Sequence, residues 1–430
     1  MRIVVVLASV LALSGADIAT VGASATELRD ALHVGNTQIG LLIAVSSLVG
    51  AVASLPFGVL ADRVPRTPVL AGAIALWSGA MVWSALAADF SELLLARVFL
   101  GAVTAAAGPM VASLVGDYFP ARDRGRIYGF ILAGELVGTG IGFAVTGDIA
   151  ALSWRAAFFA LAVPALVLAW FVFRLPEPER GGSDVLQAES TDAQRLARRR
   201  GVKADTWFGD DVERMNLLAA TRVVLRVRTN LVLIAASACG YFFLAGIQTF
   251  GIEFVKDQYD IGQVVANGLL LVVGGGAVLG VLAGGQAGDL LIRHGYLNGR
   301  ILVSVLAVGG SAVLFGPAIF MRGATSAVPW LIGAAFLLSA QNPPLDAARL
   351  DIMPPPLWGR AESIRTLLRS LAQALAPVAF GAMSEYVFGG GRSGLTWTFA
   401  VMILPLAGSA VLLARGLSTY PADVAAAAGA

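Results

Sequence analysis

Three ionisable residues, Asp17, Arg97 and Glu135, lie inside long apolar runs. A charge near the centre of a bilayer costs at least about 2.5–3.5 kcal/mol, so such residues face a partner or a water-filled cavity. An acid at that depth can take up and release a proton, and an arginine can hold an anionic group. If the first run rises from the cytoplasm and the fourth descends toward it, a rise of about 1.5 Å per residue puts Asp17 and Arg97 both about 20 Å up, where they can pair. Two readings of that pair stand side by side. It is either a static clamp within the first half of the chain, or a working pair in which Arg97 holds an anionic headgroup while Asp17 carries a proton. Glu135 lies about 10–15 Å deep on the fifth run by the same rise, with no cation on its own helix, and is the other candidate proton site. Gly134, Gly138, Gly140 and Gly142 surround it and suit close helix packing.

The elements that must position these residues are membrane helices. The chain has 430 residues, 57% hydrophobic and only 13% charged, against the roughly 25% charged residues of soluble domains. About twelve stretches reach the length of about 20 residues that a helix needs to span a bilayer. They lie near 3–25, 38–61, 68–88, 92–115, 127–148, 154–174, 230–252, 263–286, 300–321, 328–347, 363–387 and 395–415. A β-barrel would show short alternating segments instead. The expected fold class is therefore an all-α membrane protein. The N-terminal run, with Ala23-Ser24-Ala25 after it, resembles a secretory signal, but Asp17 and the many later spans favour a retained first helix. One cysteine, Cys239, excludes an internal disulfide. Two histidines, His33 and His294, leave little material for a metal site, and no cofactor is expected.

Charged turns organise the runs. Gly58-Val59-Leu60-Ala61-Asp62-Arg63-Val64-Pro65-Arg66 joins the second and third, and its pattern Gly-x-x-x-Asp-x-x-x-Arg returns at Gly285, Asp289 and Arg293. A second echo pairs Pro109, Asp117-Tyr118-Phe119-Pro120 and Gly125-Arg126 with Pro343, Asp351-Ile352-Met353-Pro354 and Gly359-Arg360, every position shifted by 234 residues. Two motif pairs in one order indicate two repeated bundles. Arginines concentrate in alternate loops, which puts both termini and the charged turns in the cytoplasm. The expected organisation is an N-terminal bundle of six helices over 1–174, a cytoplasmic linker over 175–229 and a C-terminal bundle over 230–430. The linker carries Arg198-Arg199-Arg200 and a short surface helix around 209–222. Asp62 and Asp289 read as gate residues, each accepting bonds from a helix start or an arginine of the opposing bundle, because acids gain nothing from the positive-inside rule. Arg63, Arg66, Asp117, Arg126, Arg293 and Arg360 complete the candidate gate. The second half looks poor in buried charge. Glu253, Arg365 and Arg369 sit toward helix ends, and Tyr241, Phe242, Phe243, Gln248, Asn342 and Gln373 are expected to form a mainly apolar wall.

The turn Asp62-Arg63-Val64-Pro65-Arg66, with Arg97-x-x-x-Gly101 and Gly108-Pro109, resembles the major facilitator superfamily over nearly the whole chain. Asn36-Thr37-Gln38-Ile39-Gly40-Leu41-Leu42, Gly116-Asp117-Tyr118-Phe119-Pro120, Trp154-Arg155-Ala156-Ala157-Phe158 and Leu175-Pro176-Glu177-Pro178 are similar to the spinster-type lipid transporters and their bacterial relatives. The resemblance implies twelve helices in two pseudo-symmetric six-helix bundles and alternating access. It departs at Ile18, where an arginine usually follows the first-helix acid, and at Thr104, where a fourth-helix glutamate is usual. Thr104 therefore joins Asp17, Arg97 and Glu135 as a candidate substrate or proton position, with the acid moved to Glu135. The expected function is proton-coupled transport of a lysophospholipid or similar amphiphile by a multi-pass monomer of the inner (plasma) membrane. Its partners are the bilayer, an amphiphilic substrate and protons, without nucleic acid. A proton-driven multidrug exporter is the alternative. A lipid-modifying enzyme would need a nucleophile or acid–base constellation that the sequence lacks, so no catalytic residue is expected.

Overall fold

A computed structural model describes residues 2–34, 36–180, 193, 197, 199, 202 and 215–429. Among them the regular structure is helical, with no strand. Twelve helical segments have the length and apolar content of membrane spans. In chain order they are Arg2–Ala23, Gln38–Arg63, Arg66–Leu86, Phe90–Tyr118, Ala121–Leu152, Trp154–Phe173, Arg228–Tyr259, Gly268–Arg293, Gly299–Phe320, Ala324–Asp351, Pro355–Val387 and Arg392–Ala427, called here the first to twelfth spans.

Several helices outrun the apolar stretches that predict them. The fifth begins at Ala121 rather than near 127, because Arg122, Asp123, Arg124 and Arg126 form a polar first turn that hydropathy does not see. The helix of the twelfth span runs on to Gly429, through an alanine-rich tail with high helix propensity. The linker helix is Leu217–Arg226, with Asn216 as its N-cap, accepting from the Ala219 amide at 2.8 Å. The 209–214 part of the predicted helix, with Arg198 and Arg200 of the basic run, lies outside the described residues.

The fourth and tenth spans are each broken at matching places. The fourth divides into Phe90–Thr104 and Ala107–Tyr118, the tenth into Ala324–Ala340 and Asn342–Asp351. Pro109 and Pro343 explain both breaks. Proline lacks the N–H that would bond back four residues, so the helix loosens one turn earlier. At the start of the fourth span Asp89 accepts from the Glu92 amide and Glu92 returns a bond to the Ala88 amide, both at 2.9 Å, a reciprocal cap.

Small residues set how closely spans approach. Gly134, Gly138 and Gly142 of the fifth span lie against Ala8, Ala12 and Ala16 of the first, one helical turn apart at each step. Gly276, Gly280 and Gly284 of the eighth repeat the device against Ile332, Phe336 and Ala340 of the tenth. With no hydrophobic drive between helices in lipid, such backbone-to-backbone contact supplies the packing. The second half adds an aromatic core, in which Phe243 packs on Phe315, Phe380 and Phe399. Large side chains such as Leu152, Val163, Leu271 and Val313 are exposed along the outer faces, where lipid belongs. A Cβ on Gly138 would run into the Ala12 backbone, whereas one on Gly140 meets nothing within 4 Å. Gly138→Leu is therefore expected to destabilise the protein by about 1–3 kcal/mol, the usual cost of overpacking, and Gly140→Leu to leave it nearly unchanged. Thermal unfolding of the two variants in detergent checks this.

Candidate functional site

At one end of the bundle the two halves are latched by two aspartates. Gly58 lies one helical turn before Asp62, and its bare backbone lets the second span touch the start of the eleventh. A Cβ on Gly58 would stand 2.7 Å from the Gly359 carbonyl oxygen, and one on Gly359 would stand 2.7 Å from the Gly58 carbonyl oxygen. The crossing delivers Asp62 to the first turn of the helix Trp358–Ala382. There Asp62 Oδ1 accepts from the Gly359 amide at 2.8 Å, and Oδ2 accepts from the Arg360 amide at 3.1 Å and from Arg360 Nε at 2.6 Å. Free amides and the positive end of the helix dipole make this a favourable place for a carboxylate. The second half repeats the arrangement. Gly285 lies against the Gly125 carbonyl, and Asp289 accepts from the Gly125 amide at 3.1 Å and the Arg126 amide at 2.6 Å. The spacing Gly-x-x-x-Asp thus has a plain physical content: the glycine makes the crossing, and the acid one turn later reaches the partner helix.

The arginines divide differently from the sequence expectation. Arg360 bonds Asp62 with both its backbone and its side chain. Arg126 gives Asp289 its backbone amide, while its side chain is exposed. Arg66 stays within its own half, fully buried on Asp117, with Ser113 Oγ at 3.0 Å and Glu177 at 2.8 Å. Its expected counterpart, Arg293, is 48% exposed and paired with Asp123. The place equivalent to Arg66 belongs instead to Arg300, which is buried on Asp351, on Asp289 at 2.9 Å and on the Ala121 carbonyl of the other half. Arg66 and Arg300 stand 234 positions apart, like the other repeats, whereas the Asp-x-x-x-Arg spacing does not allow for the longer turn after the eighth span. Sequence reasoning passed over Arg124, Arg300 and Trp358. The Trp358 ring lies over Gly116 and 4.9 Å below the Arg124 guanidinium.

The linker straps this end. Tyr118 donates to the Pro176 carbonyl. Glu177 accepts from the Thr67 amide and hydroxyl, each at 2.8 Å, at the start of the third span. Arg180 donates to the Ala61 and Val64 carbonyls, at 2.8 and 2.9 Å, where the second span ends. Acid on a helix start and cation on a helix end match the two dipoles. Arg63 and Arg360 both donate to the Met215 carbonyl, at 3.2 and 2.8 Å. Burial alone would raise the Glu177 carboxyl, but hydrogen bonds from Arg66 and Thr67 outweigh it and hold Glu177 below the usual glutamate range. A lowered folded-state pKa means stability that is complete above the ordinary glutamate range and lost as pH falls through the lowered value. Glu177→Gln is expected to cost about 1–2 kcal/mol near neutral pH, as loss of a charged cap does, with the difference from wild type vanishing in acid. Unfolding curves of both proteins across pH 3–8, roughly spanning carboxylate titration, check it.

The interior holds charge in both halves. Asp17 and Arg97 form a buried pair, Nη1 to Oδ1 at 2.8 Å and Nη2 to Oδ2 at 3.4 Å. Thr104 sits at the break of the fourth span, donates to the Gly101 carbonyl at 3.1 Å and lines a cavity with Ser14 and Trp77. Glu135 is half-buried, and a Cβ on Gly15 of the first span would stand 2.6 Å from its carbonyl oxygen. The expected apolar wall of the second half is corrected here. Asp346, Arg349, Glu362 and Arg365 form a compact ionic cluster between the tenth and eleventh spans, with Glu362 bonded to both arginines. One turn beyond Arg365, the Arg369 guanidinium stacks 4.4 Å above the Tyr241 ring. Phe243 is fully buried in the aromatic core. Each helix carries its own i,i+3 pair, Asp346 with Arg349 and Glu362 with Arg365, and Arg349 then joins the two by bonding Glu362, a link between helices that spacing along one helix does not reveal.

Asp62→Asn leaves Arg360 buried without its carboxylate. Breaking a buried pair this way costs about 3–5 kcal/mol, which falls on the arrangement closed at this end. Spin labels placed at Arg63 and Tyr296, on opposite halves, are expected to move apart in the variant while the protein stays monodisperse. Unchanged distances would remove Asp62 from the latch.

Comparison with known proteins agrees with this geometry. The description Major Facilitator Superfamily matches residues 7–338. A hexuronate transporter of Bacillus subtilis (strain 168) is 24% identical over 411 residues, covering 94% of this chain and 88% of the relative. A probable L-galactonate transporter of Escherichia coli (strain K12) is 28% identical over 148 residues, about a third of each chain. Among solved structures, the transporter FucP in the outward conformation superposes with a TM-score of 0.73 at 11% identity, covering 96% of this chain and 98% of that one. The proton:xylose symporter XylE bound to 6-bromo-6-deoxy-D-glucose gives 0.70 at 16% identity, covering 96% and 95%. The spinster-type resemblance finds no support among these relatives. The chain belongs to the Major Facilitator Superfamily, a family of transporters rather than enzymes.

Proposed function

We propose that the protein is a proton-coupled secondary transporter of small carboxylate-bearing sugars, working by alternating access in the plasma membrane. The observation that carries this reading is the charged interior. A single-chain amphiphile needs an extended apolar wall for its tail, whereas here the eleventh span presents an ionic cluster and Arg369. Arginine suits a carboxylate because its fork of donors matches the two oxygens. The hexuronate and L-galactonate transporters among the relatives support the same class of cargo and replace the lysolipid expectation.

In this reading the Asp62 and Asp289 end faces the cytoplasm, with both termini on that side, and the described arrangement is closed there. Linker, latches and Arg124 hold it shut, and opening it releases the cargo inward. Asp17 is satisfied by Arg97 and serves mainly to hold the first and fourth spans together. Glu135, whose side chain makes no hydrogen bond among the described residues, is the better proton carrier. The proton:xylose symporter among the structural neighbours fits a coupling of this kind.

Uptake of labelled hexuronates and hexonates into proteoliposomes, with and without an imposed pH gradient, tests the reading. Uptake driven by an inside-alkaline gradient and undisturbed by lysolipid is expected; lysolipid uptake without sugar-acid uptake would restore the lipid reading. Glu135→Gln is expected to keep exchange of labelled for unlabelled substrate while losing gradient-driven accumulation. Intact accumulation would pass the proton to Asp17.

A further inference from the structure

We propose that Arg369 receives the carboxylate of the substrate, and that Glu135 and the substrate take turns on it. This rests on the sugar-acid reading above and assigns its anion-binding residue. A balance of charges in the interior leads there. Asp17 and Arg97 cancel, and Asp346, Arg349, Glu362 and Arg365 cancel within their cluster. Arg369 and Glu135 remain. Arg369 makes no ion pair among the described residues, and its buried Nε has no hydrogen-bond partner. Its plane is fixed by stacking on Tyr241, which leaves the guanidinium edge free for a two-oxygen ligand.

Glu135 and Arg369 stand 234 positions apart, so they are the same position in the two repeats, carrying opposite charges. Each lies nine residues beyond an arginine of the latch, Arg126 or Arg360, or about 13–14 Å into the bundle at the helical rise. The tenth span packs on the fifth and carries Asp346. Asp346 is held by Arg349. From the other elements packed on the fifth span, Asp17 of the first is tied to Arg97, Asp117 of the fourth to Arg66 and Asp289 of the eighth to Arg300. Arg369 is therefore the one cation among these groups without a carboxylate of its own. While Glu135 is ionised it balances Arg369 across the interface between the halves. A proton on Glu135 removes that balance, and an anion from solution then replaces it at no net change of charge. Proton uptake and anion binding become one event.

Titration calorimetry of the purified full-length protein tests this with a panel of hexuronates and hexonates and their neutral parent hexoses. Runs in two buffers of different ionisation enthalpy count the protons taken up. Wild type is expected to bind the acid in preference to the neutral sugar, more tightly at lower pH, with uptake of a proton. Arg369→Gln should weaken binding by about 30-fold or more, the usual effect of removing one partner of a buried charge pair, and Arg369→Lys should fall between. Glu135→Gln should bind the acid with no proton uptake and no pH dependence. Arg369→Gln binding the acid as tightly as wild type overturns the site while leaving the sugar-acid reading intact. If that variant is not monodisperse, Glu135→Gln decides, and proton uptake persisting in it overturns the exchange. Wild type that binds no sugar acid overturns the functional reading and the site with it.

Discussion

Two glycine-lined crossings hold the halves together, and most of the remaining architecture is arranged around them. At Gly58 with Gly359, and at Gly285 with Gly125, main chains meet with no side chain between them. That proximity is what allows Asp62 and Asp289 to reach amides of the opposing half, and it removes both acids from water. A buried carboxylate is tolerable only with its lone pairs satisfied, and here helix starts and the guanidinium groups of Arg360 and Arg300 do so. Arg66, Arg300 and Arg124 then fix the helix ends that carry these groups, and the Glu177–Arg180 segment caps the same turn from outside. Closure is thus a set of mutually dependent neutralisations.

The same rule governs the interior. Charges there are tolerated in neutral groups, assembled from pairs within a helix, Asp346 with Arg349 and Glu362 with Arg365, and from bonds between helices, Arg349 with Glu362 and Arg97 with Asp17. This explains why a membrane protein with few ionisable residues concentrates so many of them between the tenth and eleventh spans. It also sets the character of the central surface, on which the proposal of an anionic cargo rests.

Much of the fold was legible in the sequence, and the reasons are physical. Span number follows from hydropathy because lipid leaves the backbone no alternative to internal hydrogen bonding. The repeat was legible because matched prolines break the fourth and tenth spans at equivalent places, and because matched glycines and aspartates serve equivalent crossings. The exchange of Arg293 for Arg300 was not legible, since a longer turn displaces the arginine in sequence without moving it in space. The ionic cluster was equally hidden. Asp346 and Arg349 look like a helix end and Glu362 and Arg365 like another, and only packing makes them one group. The charge inversion between Glu135 and Arg369 did lie within reach, because the 234-residue shift relates them. Neither pattern reads out a cargo, since short motifs shared by many transporters carry helix geometry and not ligand chemistry.

The Met215 carbonyl accepts from Arg63 of the first half and from Arg360 of the second. This acceptor belongs to the segment that joins the halves in sequence. A tethered group keeps an effective concentration set by its tether. In the proposed alternating-access cycle, an acceptor tethered to both halves would meet the two arginines again on reclosure without a diffusional search. On that reading the link between the bundles acts on the speed of the return stroke, as well as on the stability of the closed arrangement.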